Sequence, residues 1–456
     1  MQFATGLISQ RTPFFSEYAN AANDKVSQMR FPREVHHLEN GIRVVLEKRQ
    51  SAIPVGICCS VGAGSRNDYP RKDGLAHYVE HLLFRSRLHD ETRNLFEQFS
   101  DAGGDMNAVT MLDRTSFSLQ SLSEDVGLGI QVLARIVGDL PSSESDLKSE
   151  RAIILDEMLL TGEDSAQAFQ RVKFKLLGGD ESLRHSATGK RRRLGKISTD
   201  DVRQFYNEFY RTENMVIGIV GDIDTDAVLG MLNKEFARIA SGAAKSEHRA
   251  LEAIGPRIKH VPSATSQEGY VSCFFRCPSL RSNQLAALQV VTDVIVGGPH
   301  SRLFQRLREK DSLVYDVSGS LELTPEFGTL DIFVPTKRSN VHRVLKAVLD
   351  EVEKLKRDSL SDDALARWRT SLMKRGLLGF DDVMVAACWY AETELLASGH
   401  NADDFEGWNA KLQQVDKKAF DEVVHDVFSP ENSFLYAIGT LTPWHRRKIN
   451  RRLKAL

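Results

Sequence analysis

The sequence predicts an α+β protein of two structurally similar domains, each a mainly antiparallel sheet layered with helices. Three observations predict it. Strand-like and helical periodicities alternate along the chain. The length of 456 residues exceeds what one hydrophobic core organises. A faint internal repeat joins the two halves. We place an N-terminal extension at 1–30, a first domain at 31–240, a linker at 241–262 and a second domain at 263–456.

The repeat is carried by two short segments. In "FYRTENMVIGIVGDI" Asn214 precedes Gly221, and in "VFSPENSFLYAIGTL" Asn432 precedes Gly439. Both pairs have the same spacing, and the second pair follows the first by 218 positions. The helical patterns before these segments fall near the same offset. The repeat therefore predicts two related units of about 220 residues, a size that suits single domains.

Strand and helix patterns can be placed individually in the first half. Two short strands surround the turn at Asn40-Gly41, because Asn-Gly favours the tight turn of a hairpin. "VGICCSVGAG" predicts a buried strand, and "TSFSLQSLS" alternates like a strand with one exposed face. Apolar spacing of three and four residues predicts helices at about 74–84, 90–101, 124–138, 143–161 and 200–210.

Composition argues against several classes of partner. The formal net charge of -2 gives no global reason to expect nucleic acid or an anionic membrane. No apolar run approaches the roughly 18–20 residues that span a bilayer. The five cysteines lack the spacing of a disulfide framework, and the first thirty residues do not resemble a secretory signal. We therefore expect a cytoplasmic protein, with the mitochondrial matrix as the alternative.

The segment "DGLAHYVEHLLF" predicts a helix that carries a metal site. Asp73 is the expected N-cap. With 3.6 residues per turn, His77, Glu80, His81 and Phe84 share one face. Two imidazoles one turn apart can bind a single zinc ion, and the glutamate between them can act as a base. The alternative is a pair of solvated histidines on a helix surface.

The helix predicted for "SDLKSERAIILDEMLL" supplies a candidate third ligand. Glu150, Ile153, Ile154 and Glu157 fall along one stripe. Carboxylates on an apolar stripe are costly to bury unless a cation or hydrogen bonds satisfy them. Zinc held by two histidines would be such a cation. The alternative is an ordinary surface helix with exposed glutamates.

Together these motifs resemble the pitrilysin/insulinase family of inverted zinc metallopeptidases, in particular its short-chain, mitochondrial-processing-peptidase-like branch. The family's helix motif matches His77-x-x-Glu80-His81, and its distal glutamate matches Glu157, 76 residues after His81. Its accessory glutamate, seven positions earlier, matches Glu150. The stretches "GSRND", "GGDMNAVTMLDRTSF" and "RHSATGKRRRLGKIS" also resemble family segments. The resemblance implies one zinc ion per chain, bound by these two histidines and Glu157, with Glu80 as base and Glu150 orienting the site.

The resemblance also assigns residues outside the two metal-binding helices. "HSRLFQRLREKDSLVYDVSGSLE" resembles the family's arginine–tyrosine segment, with Arg308 and Tyr315 stabilising the carbonyl oxygen of the substrate. Without the resemblance, this pair fits a capping arginine and a tyrosine at a strand start. The family's edge strand, which adds an extended peptide to the sheet, matches Met106, Asn107, Ala108, Val109 and Thr110. The alternative is a plain edge strand.

These assignments imply a zinc-dependent endopeptidase that hydrolyses peptides or unfolded or leader segments. Long family members enclose a chamber with four domains. A chain with two domains would need a second subunit, so we expect a homodimer or a heterodimer with a related subunit. Two other functions stay open: a non-catalytic assembly subunit of the same family, and a dedicated maturation protease for a modified-peptide precursor.

Overall fold

A computed structural model describes residues 32–85, 90–160, 163–244, 251, 257–262, 267–397 and 403–456. The N-terminal extension predicted at 1–30 lies outside the described residues. Two sheets surrounded by helices form the fold, and each sheet covers its own hydrophobic core. The predicted α+β class with two similar domains is confirmed.

The first sheet has six strands in the order β1-β2-β6-β3-β5-β4. All neighbours are antiparallel except β2 and β6. The predicted turn at Asn40-Gly41 joins β1 to β2, and Gly41 has a φ of 96°, which favours glycine. The strands are Arg33–His37 (β1), Arg43–Lys48 (β2), Pro54–Val61 (β3), Asp105–Thr110 (β4), Thr115–Leu122 (β5) and Met215–Gly221 (β6).

The second sheet has five strands in the order β7-β11-β8-β10-β9, again with one parallel pair, β7 and β11. These strands are Arg257–Val261 (β7), Glu268–Cys277 (β8), Ser318–Leu323 (β9), Gly328–Lys337 (β10) and Ser433–Ile438 (β11). Strand β7 lies inside the stretch 241–262 that was predicted to be a linker. Its pairing with β11 makes these residues part of the second sheet.

Eight helices are described in the first half. They are Leu75–Arg85 (α1), Asp90–Asp101 (α2), Val126–Gly138 (α3), Glu144–Leu160 (α4), Glu163–Leu177 (α5), Arg191–Leu194 (α6), Thr199–Phe209 (α7) and Thr225–Phe236 (α8). The five predicted helices correspond to α1, α2, α3, α4 and α7. Helix α7 begins at a capping box in which the Ser198 side chain accepts from the Asp201 N–H.

The described helices of the second half are Leu285–Val296 (α9), Arg302–Phe304 (α10, followed by a π-helical turn Gln305–Lys310), Val341–Asp358 (α11), Asp362–Phe380 (α12), Val383–Leu396 (α13), Phe405–Gln414 (α14), Lys417–Val427 (α15) and Pro443–Leu453 (α16). Elements α7, β6 and α8 begin 218 residues before α15, β11 and α16. The predicted repeat is therefore a repeat of helix, strand and helix.

The two halves exchange helices. Helix α13 of the second half covers one face of the first sheet, where Ala387 and Tyr390 join a buried cluster with Val45 and Val216. The approach is close because a Cβ atom on Gly218 of β6 would lie 2.3 Å from the Ala387 carbonyl oxygen. Glycine at this position lets the helix backbone reach the strand.

The opposite exchange is made by α5, which packs on the second sheet. Phe174 of α5 shares a buried cluster with Phe274 of β8 and Phe434 of β11. In the same helix, Lys173 is 1% exposed and forms ion pairs with Glu322 and Asp331 of the second half. The halves are thus joined by buried apolar and ionic contacts.

Helix α13 corrects the expectation of an exposed face on β5 at Ser116, whereas Ser118 and Gln120 further along this face are half-buried and Leu122 is exposed. Ser116 of β5 is buried, and its hydroxyl donates to the Glu392 carboxylate of α13 at 3.0 Å. The polar residues of β5 alternate with a period of two, as predicted. A polar face can nevertheless be buried when another element supplies hydrogen-bond partners.

Candidate metal centre

The first turn of α1 is capped by Asp68 and not, as predicted, by Asp73. The Asp68 carboxylate accepts from the N–H of Gly74 at 2.6 Å and from the N–H of Ala76 at 2.8 Å. These bonds satisfy amide groups that have no partner within the helix. A residue distant by several positions therefore fixes the start of the helix.

Asp73 instead anchors α1 to the segment around α6. Its side chain is 1% exposed and forms ion pairs with Lys190 at 2.6 Å and with Arg193. Gly189 has a φ of 74°, and a Cβ atom there would lie 2.1 Å from the Asp73 carbonyl oxygen. The segment "RHSATGKRRRLGKIS" thus holds the beginning of the helix in place.

Helix α1 has one apolar face and one polar face, as its period predicts. The polar face presents His77, Glu80 and His81, of which His77 and Glu80 are 8% exposed. The apolar face is buried in the first core and carries Leu75, Ala76, Tyr78, Val79, Leu82 and Leu83. The Tyr78 hydroxyl donates to the carbonyl oxygen of Leu147, which ties α1 to α4.

Three side chains converge in a geometry that fits zinc. One ligand atom each from His77, His81 and Glu157 lies within 4.8 Å of the others. Glu157 Oε2 is 3.4 Å from His81 Nε2 and 3.8 Å from His77 Nε2. A tetrahedral zinc with bonds of about 2.0–2.1 Å sets its ligand atoms roughly 3.3 Å apart. Across the described ranges no other group of three such side chains comes together.

The two histidines differ in their electrostatic surroundings. Burial, and then the charge of His81, lowers the pKa of His77 to about 3, so its imidazole is neutral and keeps a free lone pair. Burial also disfavours charge on His81. There, however, a hydrogen bond to Glu150 and the charges of Glu80 and Glu157 prevail and raise the pKa of His81.

Glu150 lies behind His81 and orients it. The Glu150 carboxylate is 3.4 Å from His81 Nδ1 and accepts a hydrogen bond from Arg85 at 3.0 Å. Burial raises the pKa of this carboxyl, but the bonds from His81 and Arg85 outweigh burial and lower it. An ionised Glu150 that accepts from Nδ1 leaves Nε2 of His81 free to bind a metal.

The apolar stripe predicted for α4, which carries Glu157, is only partly buried. Ile154 is fully buried, as expected. Ile153 is 49% exposed, so the apolar stripe predicted for this helix is wrong at that position. Glu157 itself is half-buried, with a side chain 38% exposed. Its placement next to two imidazoles comes from the packing of α4 against α1.

Glu80 stands beside the three converging side chains and is not one of them. Its Oε2 accepts from the Thr110 hydroxyl at 2.5 Å. Burial raises the pKa of Glu80, opposed by hydrogen bonds from Thr110 and by the charge of His81. A buried carboxylate with raised basicity next to a metal site suits a general base.

The predicted substrate strand is β4, at the edge of the first sheet. It pairs with β5 on one side only, and Met106 and Ala108 are half-buried against the core. Asn107 and Val109 are exposed on the opposite face. Thr110, the last residue of β4, is the one that contacts Glu80.

Arg308 and Tyr315 lie together in the second half. The Arg308 guanidinium is 5.0 Å from the centre of the Tyr315 ring and 4.9 Å from that of Phe304. Tyr315 is 83% exposed. The contacts of this pair reach none of the three converging side chains, so the structure brings Arg308 and Tyr315 to each other but not to the metal centre.

Sequence reasoning missed Asp68, Arg85 and the contact of Thr110 with Glu80. Arg85 follows His81 by four residues on one helix, a spacing that could have predicted its place near the site. Asp68 and Thr110 act across loops and strands, and no short spacing identifies them.

Within the described ranges, no helix combines the length and apolar character that crossing a bilayer requires.

Comparison with known proteins gives two family matches. Residues 43–172 match the model described as insulinase, peptidase family M16, and residues 196–372 match the M16 model described as peptidase M16 inactive domain. The first range contains the metal centre, and the second contains Arg308 and Tyr315.

Individual relatives agree with these matches. An uncharacterized zinc protease of Streptomyces coelicolor is 28% identical over 357 residues, covering 76% of each chain. A protein of the same description from Mycobacterium tuberculosis is 25% identical over 390 residues, covering 85% of this chain and 88% of its own length. The crystal structure of a protease from Helicobacter pylori has a TM-score of 0.82 at 17% identity, covering 90% of this chain and 100% of that one.

Proposed function

This chain belongs to the insulinase family of peptidases, M16, and from that premise we propose that it is a zinc-dependent endopeptidase. The observation that carries the proposal is the convergence of His77, His81 and Glu157 with Glu80 beside them. Three protein ligands leave a fourth position of a tetrahedral metal open, which is typical of catalytic rather than structural zinc. The complete set supports a catalytic role over that of a non-catalytic assembly subunit.

The chemistry divides between the metal and the chain. Zinc held by His77, His81 and Glu157 would supply Lewis acidity toward water and the peptide carbonyl. Glu80 takes a proton from the water as the water oxygen bonds to the carbonyl carbon. It then gives this proton to the amine nitrogen as the C–N bond breaks. Glu150 keeps the His81 ring oriented through Nδ1.

We propose that the substrate is an extended peptide or an unfolded or leader segment, bound along β4. The outer edge of β4 has no neighbouring strand in the first sheet, and its end carries the residue that holds Glu80. Main-chain hydrogen bonds to an edge select extended conformation before they select side chains. Residues 106–110 would therefore accept many sequences and exclude folded ones.

Arg308 and Tyr315 are proposed to act on a site completed by a second subunit. Tyr315 is exposed and Arg308 is half-buried, and their ring and ion-pair contacts involve none of the metal-binding side chains of their own chain. A two-domain chain that pairs with a copy of itself, or with a related subunit, would bring two such surfaces to face two metal centres.

The five cysteines are all free thiols, which supports a reducing compartment such as the cytoplasm.

The test is hydrolysis of a mixture of unfolded peptides by the purified protein, with zinc measured on the same samples. We expect one zinc ion per chain and cleavage that a chelator abolishes. Glu80→Gln should keep the zinc and lose activity by about 10² or more, since it removes the base but no ligand. Glu124→Gln, an exposed glutamate outside the site, is the matched control and should behave as wild type.

The ligand assignment has its own control. His77→Ala should lose most of its zinc because His77 supplies one of three ligand atoms. Wild-type zinc content in His77→Ala would overturn the site. If Glu80→Gln lost zinc and activity together, the base would be misassigned. A wild-type protein that binds zinc but cleaves nothing in the mixture would contradict the endopeptidase proposal.

A further inference from the structure

The hydrogen bond between Thr110 and Glu80 joins two parts of the site that the proposed function treats separately. Thr110 is the final residue of β4, the strand on which the substrate is proposed to bind. Glu80 is on α1 and is the proposed base. Both side chains are 8% exposed, and the Thr110 hydroxyl lies 2.5 Å from Glu80 Oε2. A bond to a carboxylate at this depth is strong, because little water competes for it.

On the side away from Glu80, Thr110 packs against Thr115 of β5. Its hydroxyl is 3.3 Å from the Thr115 hydroxyl, which donates to the Ala63 carbonyl oxygen at 2.7 Å. Thr115 is the register partner of Thr110 across β4 and β5 and is 1% exposed. Each hydroxyl donates its single proton elsewhere, so the 3.3 Å approach of the two threonine oxygens is a packing contact. The position of Thr110 is set by its pairing with Thr115 in the sheet.

The two oxygens of Glu80 consequently have different surroundings. Oε2 accepts from the Thr110 hydroxyl and the Thr110 N–H also faces the carboxylate, whereas no side chain of the described ranges donates to Oε1. Glu80 thus keeps one oxygen occupied by the sheet and one available. A base that rotated freely would present either oxygen at variable distances, and small misplacements of a catalytic group are costly.

We propose that Thr110 is a positioning residue that reserves Oε2 of Glu80 for β4 and directs Oε1 toward the reacting water. This inference rests on the proposed function. Because the same strand would bind the peptide and hold the base, the scissile carbonyl and Oε1 are set in one frame. When a peptide pairs in register with β4, its scissile carbonyl then lies next to a base whose position is already fixed.

The variant Thr110→Val keeps the shape of the side chain and removes the hydroxyl. We expect kcat to fall about ten- to a hundredfold, since the base loses its fixed orientation. KM should stay within about twofold, because main-chain pairing along the edge is retained. Zinc content should not change, since Thr110 touches no metal ligand. Thr110→Ser, which restores a donor, should recover most of kcat.

Thr292→Val is the matched control. Thr292 is 7% exposed, and its hydroxyl donates to the Leu288 carbonyl oxygen within α9 of the second half. It removes a buried threonine hydrogen bond of similar burial outside the site. Its kcat and KM should equal those of wild type, so a fall in kcat unique to Thr110→Val reports positioning and not general loss of stability.

A second measurement does not depend on activity. In metal-free protein with ¹³C-labelled glutamate carboxyls, the Glu80 resonance is identified by its absence from Glu80→Gln. We expect this resonance to shift in Thr110→Val and to stay in place in Thr292→Val. An unshifted resonance, or a kcat equal to wild type in active Thr110→Val, would overturn the positioning role. A shifted resonance in a protein without peptidase activity would support the positioning contact and refute the proposed function.

Discussion

The exchange of helices between the halves can be tested at Lys173. This side chain is 1% exposed and forms ion pairs with Asp331, at 2.6 Å, and with Glu322. Lys173→Met keeps the length and apolar contacts of the side chain but leaves two carboxylates without their cation. Removing one partner of a buried ion pair costs about 3–5 kcal/mol. We expect about 3 kcal/mol, the lower end, because the Glu322 side chain is 28% exposed and can be hydrated.

The loss should depend on pH. Burial already raises the pKa of Asp331 despite the opposing charge of Lys173. Without Lys173 this pKa rises further above the unfolded value of about 3.9. The folded variant then binds a proton more readily than the unfolded chain, so its destabilisation is largest near neutral pH. It should shrink as the pH falls through the raised pKa of Asp331.

Urea unfolding followed by tryptophan fluorescence is a suitable assay, because all four tryptophans lie in the second half. Circular dichroism on the same samples reports both halves. Lys175→Met is the control: Lys175 lies two residues further along α5 and is exposed, so its change should stay within about 0.5 kcal/mol. Equal free energies of unfolding for the two variants would refute the buried docking of α5. Adding Asp331→Asn to Lys173→Met should recover part of the loss.

Two further predictions concern the site. Zinc must displace the proton of His81, whose pKa is raised above 6.5. As the pH is lowered, zinc affinity should therefore start to fall before the pH reaches 6.5, and then by about tenfold per pH unit. Competition with a fluorescent chelator measures the affinity, and a constant affinity between about pH 8 and about pH 5 contradicts the prediction. Mixing Glu80→Gln with Tyr315→Phe should restore up to about a quarter of wild-type activity if the chain is an exchanging homodimer with shared sites. Peptidase assays after verified subunit exchange measure this, and an inactive mixture means that Tyr315 serves its own chain.

Local patterns predicted much of this protein. The positions of α1 to α4 and α7 follow from apolar spacing, because a helix that packs on a sheet must carry one apolar face. The two imidazoles of α1 are one turn apart by spacing alone, so they share a face in any helix. The repeat between the halves also needed only the sequence, since equal units fold from similar segments in the same order.

Predictions from local patterns failed where a residue's partners come from a segment distant in the chain. Asp73 has the character of an N-cap, yet the α6 segment brings Lys190 and Arg193 to it, and Asp68 caps the helix instead. Ile153 continues an apolar stripe in the sequence but faces solvent, because the buried face of α4 runs through Leu147, Ile154 and Met158 and does not include it. Hydrophobic periodicity describes the face of one element and not the area that its neighbour covers.

The sequence by itself determined that the chain has two similar halves, where many of the strands and helices lie, and that His77 and His81 share a helix face with Glu80. Only the tertiary structure decided that α5 packs on the second sheet and α13 on the first. It also decided that Thr110, the last residue of β4, bonds to Glu80, and that Arg308 and Tyr315 contact each other. The physical reason is range. Spacing along the chain fixes which side chains share a face, whereas the long-range packing of one face on another depends on the path of the whole chain.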